Sequence, residues 1–282
     1  MRIGALLMPT DDWSSTVETA RRIEHLGYDH LWVYDHLSWR HYRDRSWHAT
    51  YPWIAGLAAL TERIRFGTMV SNLNIRHPVT LAKDAMTIDH ISAGRLTIGI
   101  GAAGTGYDAT VLGQEPLTPR QRMDRLEEFT SCFAGLLDGS LRSHTGDWYV
   151  IDEARLLPGC VQTPRLPIAI AAGGPRGLDL AARSGDAWIT LDDEAEVADQ
   201  VAIFEARCAA HDRDPTSIDR IYLAGHADLQ PLGSLDAFDD VVGRLAELGF
   251  TDLVVHLPRA DDPWLDHPIE IVEQIATHRL AS

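Results

Sequence analysis

The chain has 282 residues, 45% hydrophobic and 23% charged, enough to bury the core of one large α/β barrel or of two ordinary domains. Its formal net charge of −16 argues against nucleic acid and anionic membranes as partners. No apolar run reaches the ~20 residues of a membrane span, and Met1-Arg-Ile-Gly-Ala-Leu-Leu7 runs straight into a strand-like segment rather than a signal peptide.

Strand-like and helix-like segments then alternate. Arg2–Met8 precedes a helix pattern from Asp12 to Leu26, ended by Gly27. His30–Tyr34 precedes Pro52–Glu62, Ile64–Val70 precedes Pro78–Ile91, and Leu96–Ile100 precedes Pro119–Leu137. Leu166–Ala171 precedes Arg176–Ser184, and Ala187–Leu191 precedes Glu194–His211. Ile221–Ala224 precedes Leu235–Leu248, and Leu253–His256 precedes Pro268–His278. Such alternation implies a parallel sheet with helices outside it. Eight βα units predict a closed (β/α)₈ TIM barrel, a single domain over 1–282. An open doubly wound sheet is the alternative, but no Gly-x-Gly-x-x-Gly follows the first strand. Ser140 to Thr163 interrupts the rhythm with a hairpin-like stretch turning at Gly146-Asp147, which reads as a short insertion after the fourth helix.

Cys132, Cys160 and Cys208 are odd in number and widely spaced, so neither a disulfide framework nor a zinc site is indicated, and the cytoplasm is the default location. Lys83 is the only lysine among 25 basic residues, the single candidate for Schiff-base chemistry.

Barrel active sites lie at the C-terminal ends of the strands, and four of these ends are distinctive. Asp35-His36 closes the apolar run His30–Tyr34 and opens a loop carrying Trp39, His41, Tyr42, Trp47, His48 and Tyr51. Such a loop stacks on flat rings and moves protons beside them; a loop salt bridge for Asp35 and a structural role for His36 are the plain alternatives. After the third strand, Ser71 and Asn72 are placed to hydrogen-bond a ligand, or to make a plain turn. The glycine-rich Gly99–Gly106 stretch lets a ligand approach Gly101, Ala102 and Ala103, or is simply flexible. It lacks the Lys-Ser/Thr ending of a P-loop. At Gly173-Gly174-Pro175-Arg176 a helix start and an arginine make an anion site, with a tight turn as the alternative. Together the four ends predict a flat aromatic cofactor with a phosphate tail.

These motifs resemble the bacterial luciferase-like oxidoreductase superfamily, TIM-barrel proteins that use FMN or the deazaflavin coenzyme F420. The resemblance rests on Leu31-Trp-Val-Tyr-Asp-His36, Arg65-Phe-Gly-Thr-Met-Val70, the stretch from Thr87 to Gly101, and that from Ala172 to Trp188. It implies that Asp35 bonds near the deazaflavin ring and that His36 is the acid–base residue beside the hydride-transfer carbon. It also implies a non-prolyl cis peptide at Met69-Val70 under the ring, phosphate contacts from Gly173, Gly174 and Arg176, and a homodimer. Trp39 lies near the position of an active-site tryptophan, at a different spacing. Many members carry a glutamate soon after the fourth strand's glycines; here the first acid is Asp108, so that acid's step does not transfer. The long insertions of the larger monooxygenases are missing.

The leading expectation is therefore an F420-dependent oxidoreductase reducing a C=N or C=C bond of a small organic substrate, or running the reverse dehydrogenation. Tyr34, His48 and Tyr51 are substrate-side candidates. The alternatives are an FMN-dependent monooxygenase and a non-catalytic flavin- or deazaflavin-binding protein. A metal-dependent barrel hydrolase is disfavoured, because strand ends one and five to eight lack the recurring His/Asp ligands.

Overall fold

A computed structural model describes residues 1–225, 230–258 and 270–281. The barrel strands are β1 (Arg2–Leu6), β2 (His30–Val33), β3 (Arg65–Asn72), β4 (Leu96–Gly101), β7 (Ile168–Ala171), β8 (Ala187–Thr190), β9 (Asp219–Leu223) and β10 (Asp252–His256). All pair in parallel, and β1 pairs with β10 to close the ring in the order β1-β10-β9-β8-β7-β4-β3-β2. The predicted (β/α)₈ barrel is thus the fold. The insertion is a small antiparallel hairpin, β5 (His144–Thr145) with β6 (Val150–Ile151).

The helices are α1 (Trp13–His25), α2 (Thr50–Ala59), α3 (Pro78–Ile91), α4 (Pro119–Leu137), α5 (Pro175–Ser184), α6 (Glu194–Ala210), α7 (Leu235–Glu247) and α8 (Glu270–Ala281). Local chemistry sets their ends. Asp12 caps α1 by accepting from the Ser15 N–H, and Gly27 (φ +79°) follows its last turn. Thr118 and Gln121 form a reciprocal capping box at α4, with Pro119 in its first turn. Helix α2 begins at Thr50 rather than at the predicted Pro52; the Thr50 hydroxyl donates to the Tyr34 carbonyl and ties its first turn to the end of β2. Pro268, the predicted start of the last helix, lies outside the described residues.

Two apolar clusters follow from the alternation of strand side chains. The larger lies between sheet and helices. The smaller fills the barrel with Leu6, Trp32, Tyr34, Met69, Ile189, Ile221 and Val254 among others, and Trp39, Trp47 and Val70 pack against it from the mouth. Trp32 fits because Gly67 faces it: a Cβ at Gly67 would lie 2.2 Å from the indole.

The Met69–Val70 peptide is cis, and the β3–β4 register shifts between Thr68 and Ser71. The neighbouring glycines accommodate this bulge. A Cβ at Gly99 would lie 2.0 Å from the Thr68 carbonyl oxygen, and one at Gly101 would lie 2.9 Å from Val70 Cγ2. Backbone cannot retreat as a flexible side chain can. Gly99→Ala is therefore expected to destabilise the chain by at least the roughly 1–3 kcal/mol of an overpacked core site. Urea denaturation checks this, and an unchanged midpoint would refute the packing account.

Candidate active site

His36 and Asp108 meet at the barrel mouth. Asp108 lies in a short 3₁₀ turn (Tyr107–Ala109) of the loop after β4, and His36 follows β2. His36 Nδ1 lies 2.7 Å from Asp108 Oδ2. Asp108 is 4% exposed and also accepts from the Leu37 N–H (3.2 Å) and the Asn72 side-chain amide (2.8 Å). An ionised carboxylate only accepts, so His36 Nδ1 donates to Asp108 and Nε2 is the ring nitrogen left for chemistry. The imidazole keeps 27% side-chain exposure and lines a cleft of 430 Å³ with Ser38, Trp39, Arg40, Arg43, Asn72 and Tyr107 among its walls. Trp39 stacks on His36 at 5.8 Å and 20°, and Trp47 meets it edge-on. The ring is thus fixed by a buried acid behind and two indoles beside it.

Asp35 does something different from the expected ring contact. It is fully buried, and Arg76 clamps it with Nε to Oδ2 at 2.9 Å and Nη2 to Oδ1 at 2.5 Å, while the Asn72 N–H donates to Oδ2 at 3.0 Å. With both oxygens taken, Asp35 ties the loop after β3 to the end of β2 and so holds His36 in place. Burial alone lowers the Arg76 guanidinium; the bonds and charge of Asp35 outweigh it and raise it.

Ser71 and Tyr51 also turn away from a ligand. Ser71 Oγ is fully buried, 2.6 Å from the Tyr51 hydroxyl and 2.8 Å from Thr68 Oγ1. Burial and the nearby Asp35 charge push the Tyr51 phenol well above its usual range. The reason is that α2 starts early and carries Tyr51 into the core. His48 is exposed and stacks on Trp53 at 4.4 Å, on the side of α2 where Trp13 also meets Trp53. It is not among the cleft-lining residues. Tyr34 stays at the mouth, its hydroxyl 2.7 Å from His256 Nε2. His256 Nδ1 lies 2.9 Å from the Ala224 carbonyl, which only accepts, so Nδ1 donates to it and Nε2 faces the Tyr34 hydroxyl. The side chain of His41 lies outside the described residues.

The glycine loop divides. Gly101 makes room for Val70 rather than for a ligand, and Ala102 and Ala103 are half-buried against the outer core. At α5, Gly174 is the N-cap with no side-chain cap, Pro175 opens the helix, and nothing stands within 4 Å of a Cβ at Gly174. Gly173 is crowded instead, by the Asp192 carboxylate 2.4 Å from its Cβ position. Arg176 does not add its charge to this turn. It pairs with Glu127 at 2.8 Å and Asp124 at 2.7 Å, two acids one helical turn apart on α4.

Sequence reasoning missed Asp108, Arg76 and His256. Asp108 had a signal, as the first acid in the loop after β4. Arg76 pairs across 41 residues and had none.

The fold and site together define a (β/α)₈ barrel with a buried carboxylate orienting a mouth-facing histidine. The family model for luciferase-like monooxygenases matches residues 1–227, and the chain belongs to that family of oxidoreductases. The F420-dependent hydroxymycolic acid dehydrogenase of Mycobacterium tuberculosis is 32% identical over 205 residues, 72% of this chain and 56% of that protein. The 4-hydroxyprotoasukamycin monooxygenase of Streptomyces nodosus subsp. asukaensis is 32% identical over 180 residues, 62% of this chain and 46% of that protein. The chain thus spans about half the length of these curated relatives. Among solved structures, an F420-dependent secondary alcohol dehydrogenase in complex with an F420-acetone adduct shares the fold, with a TM-score of 0.81 at 18% identity over 97% of both chains. Among the described residues no helix is long and apolar enough to cross a membrane.

Proposed function

We propose that this chain is an F420-dependent oxidoreductase that transfers a hydride to or from a small organic substrate in the His36 cleft. The observation that carries this reading is the His36–Asp108 pair, which leaves Nε2 as the proton acceptor or donor beside an open cleft. The relatives named as F420-dependent support it.

The residues present fit a flat cofactor with a phosphate tail. Met69, half-buried Val70 and Ala171 offer an apolar seat at the mouth, and the uncapped start of α5 offers N–H groups to an anion. A bound deazaflavin supplies the hydride-carrying carbon, while the protein orients the substrate and handles its proton. In that reading Asp108 holds the His36 tautomer, Asp35 and Arg76 position the loop, and Trp39 and Trp47 exclude water.

Purified apo-protein titrated with F420 and with FMN tests the cofactor. Selective micromolar F420 binding is expected; binding of neither refutes the reading. An FMN-dependent monooxygenase is the second reading, favoured by the monooxygenase relative. Selective FMN binding with oxygen uptake would put it first.

The phosphate seat has a separate test. Gly174→Asp adds a helix cap, worth up to about 1 kcal/mol of stability. The same carboxylate occupies the anion seat, so F420 affinity should fall by about tenfold or more. Unchanged affinity in this folded variant would move the phosphate elsewhere.

A further inference from the structure

Arg40 and Arg43 both line the His36 cleft and are exposed. Arg40 stacks its guanidinium over Trp39 at 4.4 Å. Arg43, from the loop after β2, lies 4.5 Å over the ring of Tyr107, in the loop after β4, and so spans the two loops that form the cleft walls. Among the described residues neither has an acidic partner, in a chain with 41 acids and 25 bases. Arg40 holds φ at +48°, a left-handed conformation that suits glycine or asparagine better.

The acid in the cleft wall is Asp108, which is consumed by His36, Leu37 and Asn72. Asn74 completes the wall, and its side-chain amide is occupied by the Gly104 carbonyl. The cleft therefore presents two guanidinium groups with no ion-pair partner among the described residues, and its one carboxylate is bonded to His36, Leu37 and Asn72. Guanidinium pairs bind carboxylate or phosphate through charge-assisted hydrogen bonds, and flat aromatic neighbours keep the forks oriented.

We infer that the substrate handled beside His36 carries a carboxylate or phosphate group, and that Arg40 and Arg43 receive it. This rests on reading the cleft as the substrate side of the oxidoreductase site. The same chemistry also fits the anionic tail of the cofactor, so the test separates the two sources.

Benzoate and phenyl phosphate, with benzyl alcohol as the neutral match, are titrated into the wild-type chain and the Arg40→Gln/Arg43→Gln variant, followed by tryptophan fluorescence. Both positions are exposed, and an unchanged melting temperature shows that the variant folds. The anions should bind the wild type about tenfold or more tighter than the alcohol, as charge-assisted bonds dictate, and this preference should collapse in the variant. F420 and its riboside lacking the phosphate tail should each bind the variant about as well as the wild type. A wild type without anion preference, or a variant that keeps it, overturns the inference. A variant that loses affinity for intact F420 but not for the riboside assigns the arginines to the cofactor tail, which overturns the substrate assignment. The aromatic-anion arm is independent of cofactor binding. Its failure therefore differs from failure of the F420 reading, which would show as absent binding of F420 itself.

Discussion

On the proposed reading, replacing His36 by alanine is expected to lower kcat by about 10²–10⁴-fold, the span of general acid–base catalysis, while cofactor affinity stays within a few-fold. The imidazole lines the cleft and is held at Nδ1 by a buried acid. Asp108→Asn should follow the same direction with a smaller loss. An asparagine either donates to Nδ1 and forces the proton onto Nε2, or offers only a neutral acceptor to Nδ1–H. Both weaken the base facing the substrate, so the pH profile of kcat should shift along with the rate. Added imidazole should restore part of the activity of His36→Ala and none of that lost in Asp108→Asn. Steady-state kinetics with a chosen acceptor measure all three. Turnover that is unchanged in His36→Ala would end the assignment.

Replacing Arg76 by methionine is expected to destabilise the chain by about 3–5 kcal/mol, the cost of stranding a buried charge. Asp35 is fully buried, and the remaining Asn72 N–H cannot offset a full negative charge there. The Arg76 guanidinium also lies 4.6 Å over the Tyr51 ring, a packing contact that methionine partly keeps. Most of the loss should therefore come from the stranded carboxylate, and Asp35→Asn introduced beside Arg76→Met should recover much of it. Chemical denaturation of the single and double variants reads this coupling. Equal stability of the two would refute the account of Asp35 as a clamped structural anchor.

Of the expected site, the strand ends were legible and the partners were not. Trp39 and His36 come from one loop after one strand, and they meet in the cleft. Ser71, Tyr51 and His48 were legible as polar or aromatic residues near a strand end, yet the early start of α2 gives them other neighbours. Arg176 reads as a cation at a helix start, but the acids that neutralise it lie on another helix, 49 residues away at Glu127. Residue type therefore identified candidates, while partner choice decided which remained available.

The sequence by itself determined the alternation of strands and helices, because periodicity, caps and glycine stops are local. It also determined the barrel, since eight βα units without a dinucleotide fingerprint have few ways to bury both faces of a parallel sheet. Only the tertiary structure decided that Asp108 bonds His36 Nδ1 while Asp35 anchors the loop from behind. It also decided that Gly99 and Gly101 serve the β3 bulge, and that Arg76 closes onto Asp35. The reason is physical: a carboxylate binds whichever donor the fold brings within about 3 Å, and sequence spacing carries no record of that distance.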